Sequence, residues 1–147
     1  MAKPITPYVG SETFVLNELD QVFLVKRMDN GTWCMPGGAQ DLGETPKQCA
    51  IREFKEESGY DVQILDIVGV FSSLNYKYVH YQWKENEFVH ILFYGKIVSG
   101  AAEISNETTA VGWFSVHELP LMMDGHTDRI LKAYDKIKNK KSVVYFE

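Results

Sequence analysis

The stretch GETPKQCAIREFKEESGY, residues 43–60, decides how the rest of the chain is read. Thr45 suits an N-cap, Pro46 the first helical position, and Gln48, three residues after Thr45, completes a capping box. Gly59 stands where a left-handed residue stops a helix. The spacing therefore predicts a helix from about Pro46 to Ser58. At 3.6 residues per turn, Ala50, Ile51 and Phe54 share the side expected to bury against a sheet. Glu53, Glu56 and Glu57 share another side, with Arg52 at its border and four residues before Glu56. Lys55 lies away from that stripe. Clustered acids repel, and they sit at the negative pole of the helix dipole, where each exposed one costs roughly 0.3–1 kcal/mol.

Working outward, strands are expected at 11–18, 21–27, 61–71 and 88–98, with Asp29-Asn30-Gly31 as a turn. Residues 76–83 alternate as a strand would, and Lys84-Glu85-Asn86-Glu87 would form a hairpin tip. Trp113-Phe114 reads as a short strand, SVHELP (115–120) as one helical turn capped by Ser115, and 128–138 as a helix with an apolar stripe at Ile130, Leu131, Tyr134 and Ile137. Strands, helix, strands, helix give a mixed α/β fold with helices covering a sheet.

A length of 147 residues fits one domain spanning 1–147. Apolar residues make up 45 % and charged residues 24 %, ordinary for a globular protein. The net charge of −5 argues against a nucleic-acid backbone as partner and requires local cations for any phosphate ligand. No segment reads as a signal peptide or as a membrane span. Cys34 and Cys49 lack metal or redox spacing, so a reduced, cytoplasmic protein is expected, with Cys49 packed or idle on the helix. No DNA-binding module is evident.

A hard divalent cation explains the crowded acids. Mg²⁺ takes oxygen ligands and is shared between a few carboxylates and substrate phosphates. Mn²⁺ is a substitute. A spare carboxylate then serves as general base.

The spacing from Gly38 through Glu44, Arg52, Glu53, Glu56 and Glu57 to Gly59 and Tyr60 resembles the signature box of the Nudix hydrolases, and Trp33-Cys34-Met35-Pro36-Gly37 resembles its lead-in. Phe54 and Tyr60 stand where the box prefers bulky aliphatics. The resemblance implies an α/β/α sandwich with a mixed central β-sheet and the box as loop–helix–loop. It implies that Glu53, Glu56, Glu57 and the Gly37 carbonyl bind divalent ions, that Arg52 orients a glutamate, and that Glu44 supports the loop. The implied reaction is hydrolysis of a P–O–P bond in a nucleoside diphosphate linked to another group. The general base is either a box glutamate or Glu107, in a segment resembling the later loop that often carries it; relatives often have a further acid where this chain has Ala110.

For substrate selection, Tyr76, Tyr78, Tyr81 and Trp83 offer stacking faces, with sheet core or a homodimer surface as the alternative role. Tyr76 and Tyr78 fall where relatives that cleave dinucleoside polyphosphates carry a tyrosine. Leu74-Asn75 stand where the ADP-ribose subgroup tends to have a proline. Arg27 and Lys26 end a strand where they could meet phosphates. His90, His117 and His126 are scattered and expected to be structural. The competing reading is a nucleotide sensor on the same fold that does not turn its ligand over; the complete set of box glutamates favours the enzyme.

Overall fold

The computed structural model describes residues 6–76 and 87–147. It contains β1 (Tyr8–Val15), β2 (Gln21–Arg27), β3 (Trp33–Cys34), β4 (Gly37–Ala39), α1 (Pro46–Ser58), β5 (Tyr60–Ser72), a single 3-10 turn at Ser73–Asn75, β6 (Phe88–Gly100), β7 (Thr108–Ser115), α2 (His126–Lys138) and β8 (Tyr145–Phe146).

The strands form two sheets. A mixed five-stranded sheet has the order β4-β1-β6-β5-β8, and an antiparallel three-stranded sheet has the order β3-β2-β7. β1 runs parallel to β6 over its whole length, from Tyr8↔Phe88 to Val15↔Gly95. On its other edge it carries β4 antiparallel, with Ser11 opposite Gly38 and Glu12 opposite Gly37.

Alternation along the strands divides the interior in two. Phe14, Val22 and Leu24 pack with Ile130 and Ala133 of α2. Their neighbours in sequence, Val15, Phe23 and Val25, pack with Phe54 of α1, whose ring lies 5.5 Å from that of Phe23. The helices thus cover opposite faces of the sheet layer, and the chain is an α/β sandwich.

α1 has the expected bounds. Thr45 accepts from the Gln48 backbone and the Gln48 side chain accepts from Thr45 N–H, so both halves of the capping box form. Gly59 is left-handed, φ 80°, and a Cβ there would meet Ala101 O at 2.3 Å. This sharp stop lets β5 start at the next residue.

Four expectations need correction. Ile51 is exposed; the buried side of α1 is Cys49, Ala50, Phe54, Glu57 and Ser58, because the core stripe is rotated towards the helix's C-terminal acids. β1 lies at 8–15 and not 11–18, since its length is set by its pairing with β6. The Trp113-Phe114 pair belongs to an eight-residue strand that pairs with β2 from Gln21↔Ser115 to Arg27↔Thr108. Ser115–Glu118 is a hydrogen-bonded turn, not a helical one: Ser115 O accepts from Glu118 N–H and Ser115 Oγ from His117 N–H. The expected strand at 76–83 and its hairpin tip lie, save for Tyr76 and Glu87, outside the described residues. No helix among the described residues is long and apolar enough to cross a membrane.

Candidate active site

The sequence places Gly37-Gly38 on a short edge strand against which α1 leans. The Glu57 side chain turns inward rather than outward, and one of its oxygens accepts from Gly37 N–H at 3.0 Å. Glu57 is only 7 % exposed. Burial, together with the charge of Glu53, pushes its carboxyl well above the ordinary carboxylate range, against the pull of the Gly37 amide. Glu53 is raised as well, first by burial, with Arg52 opposing. A Cβ on Gly38 would stand 2.6 Å from the Glu53 carboxylate, so the glycine leaves room for that side chain.

Arg52 is the hub of the exposed side. It forms a fork on Glu44, Nε to Oε2 at 3.0 Å and Nη2 to Oε1 at 2.6 Å. Its Nη1 donates to Glu53 at 2.8 Å and to Glu56 at 3.2 Å, and Nη2 also reaches Ala39 O. The guanidinium fork holds the Glu44 carboxyl down to about 2. Glu44 passes this order to the loop by accepting from Asp41 N–H at 2.8 Å. Among the described residues no three His, Cys, Asp or Glu side chains are gathered about one point. Arg52 instead supplies the positive charge between Glu53 and Glu56.

Two cavities adjoin here. One is lined by Arg27, Asp29, Cys34, Glu57, Glu107 and Thr108, among others. It brings Glu107, from the turn before β7, into the same space as Glu57, although the two lie fifty positions apart in sequence. The Thr108 hydroxyl, donating to Glu57 O at 2.9 Å, fixes that approach. The second cavity, about 320 Å³, lies on the other side of Gly37-Gly38 and is lined by Tyr8, Glu12, Tyr76, His90 and Arg129, among others. Arg27 and Cys34 border both cavities. Arg27 is held by Asp29 through two hydrogen bonds.

The structure thus brings together Gly37, Glu44, Arg52, Glu53, Glu56 and Glu57, and it sets Glu107 and Arg27 beside Glu57. Tyr76 lines the second cavity and not the first, and Tyr78 lies outside the described residues. Lys26 does not border either cavity. Both cysteines are free and buried, and burial pushes the Cys49 thiol up to about 11.

Sequence reading missed a buried polar cluster. Glu12, Arg129 and His126 meet in the wall of the second cavity, with Arg129 Nη2 donating to Glu12 at 3.2 Å and His126 Nδ1 accepting from Met35 N–H at 3.1 Å. His90 joins them through Tyr76, so two of the three histidines that look scattered in sequence converge here. The one available signal was Glu12 itself, an acid inside a stretch that reads as a strand.

Comparison with known proteins agrees with this geometry. The NUDIX domain family profile matches residues 9–134. A Bacillus subtilis protein named "Putative 8-oxo-dGTP diphosphatase" is 37 % identical over 115 residues, 78 % of this chain and 70 % of that protein. A Methanocaldococcus jannaschii protein named "ADP-ribose pyrophosphatase" is 26 % identical over 128 residues, 85 % of this chain and 72 % of that protein. Among solved structures, that of a UDP-X diphosphatase superposes with a TM-score of 0.85 at 18 % identity, covering 99 % of this chain and 70 % of the other. An ADP-ribose pyrophosphatase from Streptococcus suis superposes with a TM-score of 0.75 at 23 % identity, covering 96 % and 98 %. The box from Gly38 to Tyr60, the sandwich that presents it and the profile match over most of the chain lead to one conclusion: the chain belongs to the Nudix hydrolase family.

Proposed function

We propose that this Nudix pyrophosphohydrolase uses Mg²⁺, with Mn²⁺ as a substitute, to cleave the P–O–P bond of a nucleoside diphosphate linked to a further group. The reading is carried by one observation: Glu57, buried and raised further by the charge of Glu53, lines a cavity that also holds Arg27 and Glu107. The names of the relatives, a diphosphatase and a pyrophosphatase of nucleotide derivatives, support it.

The residues present fit a hard dication. Glu53, Glu56, Glu57 and the Gly37 carbonyl offer oxygen donors only, and the buried, mutually repelling pair Glu53 and Glu57 gains most from a nearby positive charge. When bound, such an ion neutralises phosphate oxygens and draws the diphosphate to the acidic side of α1. Arg52 holds Glu53 and Glu56 and is itself set by Glu44, so it fixes where their oxygens point. Arg27 offers the cation an approaching phosphate needs in a chain of net charge −5. Glu107 takes the proton of the attacking water as that oxygen joins phosphorus and the bridging oxygen leaves with its phosphate.

Release of the two phosphorylated products, a nucleoside monophosphate and its co-product, is to be measured on a panel of nucleoside triphosphates, oxidised nucleotides, ADP-ribose, sugar nucleotides, dinucleoside polyphosphates and capped RNA, with and without Mg²⁺. Turnover that needs the ion and is lost in Glu56→Gln or Glu57→Gln is the expected result. Tight nucleotide binding with no turnover on any member would instead identify a sensor.

A further inference from the structure

The last turn of α1 leaves carbonyls that the helix itself cannot serve, Glu57 O and Ser58 O among them. The connection from β6 to β7 supplies their donors. Glu103 N–H donates to Ser58 O at 2.9 Å, and the Thr108 hydroxyl donates to Glu57 O at 2.9 Å. The ladder explains why Thr108 can reach. β2 and β7 pair Val25 with Val111 and Lys26 with Ala110, but then Arg27 with Thr108, so Thr109 is passed over. Residues opposite one another share a face of the sheet. Val25 and Val111 pack with Phe54 of α1, and two places on, Arg27 and Thr108 belong to the same face. A slip of this kind re-aims a side chain. It leaves Thr108 2 % exposed and Thr109 in solvent.

The hydroxyls form a chain with one direction. A carbonyl only accepts, so the single Thr108 proton goes to Glu57 O. Towards Ser105, Thr108 Oγ1 is then an acceptor, from the Ser105 N–H at 3.1 Å and from the Ser105 hydroxyl at 3.1 Å. Ser105 Oγ in turn accepts from Glu107 N–H at 3.1 Å. Donation runs from Glu107 through Ser105 and Thr108 to Glu57, and Thr108 Oγ1 uses its proton and both lone pairs. Glu107 O accepts from Met28 N–H at 2.9 Å. The Glu107 backbone is thus held at both its donor and its acceptor, while the residue stays exposed in the cavity it shares with Glu57.

We propose that Thr108 is a positioning residue for the hydrolysis: its hydroxyl locks the turn carrying Glu107 to the last turn of α1, and so sets the general base at a fixed place relative to Glu57. The proposal rests on the reading above of Glu107 as the base. Groups fifty positions apart have no spacing set by the chain between them, and the Thr108 hydroxyl supplies it. A base displaced by about 1 Å loses on the order of 100-fold in rate.

The test is a double-mutant cycle on the full-length protein with Mg²⁺ and its best nucleotide, with circular dichroism as a check on folding. Thr108→Val keeps the shape and removes the hydroxyl; Thr108→Ser keeps the hydroxyl. Thr108→Val is expected to lower kcat about 10–100-fold with KM changed less than about three-fold, and Thr108→Ser to stay within about three-fold of the wild type. Glu107→Gln is expected to lower kcat at least about 100-fold, and adding Thr108→Val to it to cost less than about two-fold more. The Mg²⁺ concentration for half-maximal rate should stay within about two-fold in Thr108→Val, since the Glu57 carboxylate keeps its own bond to Gly37. An equal loss from Thr108→Val with and without Glu107 overturns the proposal and makes the hydroxyl structural. So do an unchanged kcat in Thr108→Val, a failure of Thr108→Ser to restore it, or a raised Mg²⁺ requirement. Should Thr108→Val not fold, Ser105→Ala carries the same cycle, because it cuts only the link to the Glu107 amide; its loss, expected at about three- to ten-fold, must again vanish beside Glu107→Gln. Full activity of Glu107→Gln alone overturns the proposal while the hydrolase reading stands. Absence of wild-type cleavage on every nucleotide overturns the hydrolase reading and this proposal with it.

Discussion

Arg129 of α2 and Glu12 of β1 form a buried ion pair across 117 positions of sequence, with Nε and Nη2 of the guanidinium on the two carboxylate oxygens. Arg129 is 2 % exposed and Glu12 5 %. The pair fastens α2 to the strand whose opposite face supports α1.

Breaking it is predicted to be costly and replacing it cheap. Glu12→Gln leaves a buried guanidinium without its counter-charge and should lower the unfolding free energy by about 3–5 kcal/mol. The double change Glu12→Leu with Arg129→Met should cost far less. Urea unfolding of both variants at pH 7 checks this; equal losses would mean that the pair's charge is irrelevant to stability.

Acid is predicted to weaken the fold early. His90 and His126 are neutral when folded, with values near 4 and 3, below the free-imidazole value of 6.5. Between 6.5 and those values the unfolded chain binds more protons, so stability falls as pH falls, by up to about 1.4 kcal/mol per pH unit for each histidine. Glu12, lowered to about 2, extends the loss below pH 4.5 in the same direction. Urea midpoints measured from pH 7 to 5 should decline, and His126→Gln should flatten the decline. A flat wild-type profile would refute the buried neutral imidazoles.

Gly38→Ala is predicted to spare the fold and damage the reaction. The added Cβ meets the tip of Glu53, a side chain that can swing away, and not fixed backbone. Gly37→Ala differs, because its Cβ would strike Ser11 O at 2.4 Å. Melting temperature should hold within about 3 °C for the first, an effect below about 1 kcal/mol, and drop further for the second. Turnover should fall about 10–100-fold for Gly38→Ala, in line with a disturbed metal-ligand position. Unchanged turnover would place Glu53 outside the ion site.

Glu57→Gln is predicted to raise the melting temperature of the metal-free protein while abolishing turnover. An amide can still accept from Gly37 N–H, and it removes a buried carboxylate raised by burial and by Glu53. Gains of a few degrees by calorimetry are expected, corresponding to about 1 kcal/mol. A marked fall would make Glu57 a structural acid.

Local signals carried the sequence reading furthest. α1 was legible to the residue because its cap, first turn and stop lie within its own span, at Thr45, Pro46, Gln48 and Gly59. Glu57 was read with the exposed acids, yet position 57 is three past Phe54 and seven past Ala50, which sets it on the core side. β7 was seen only at Trp113-Phe114, since Ala110 and Gly112 give its remainder no apolar alternation and its extent is fixed by β2. The box residues were legible as a set because α1 and the glycine loop are contiguous. The Glu12, Arg129, His126 and His90 cluster was not, because it is assembled from three distant elements, β1, β6 and α2.

The parallel pairing of β1 with β6 orders events as the chain leaves the ribosome. Tyr8 emerges long before Phe88, its ladder partner, and β2 waits likewise for β7. α1 needs no partner to close its own caps, whereas both sheets stay unfinished until the last third has been synthesised. During that interval Phe14, Val15 and their unpaired amides are open to chaperones and to neighbouring chains. Pulse-labelled hydrogen exchange during refolding should find α1 amides protected ahead of those in β1; simultaneous protection would mean that the ladder forms as early as the helix.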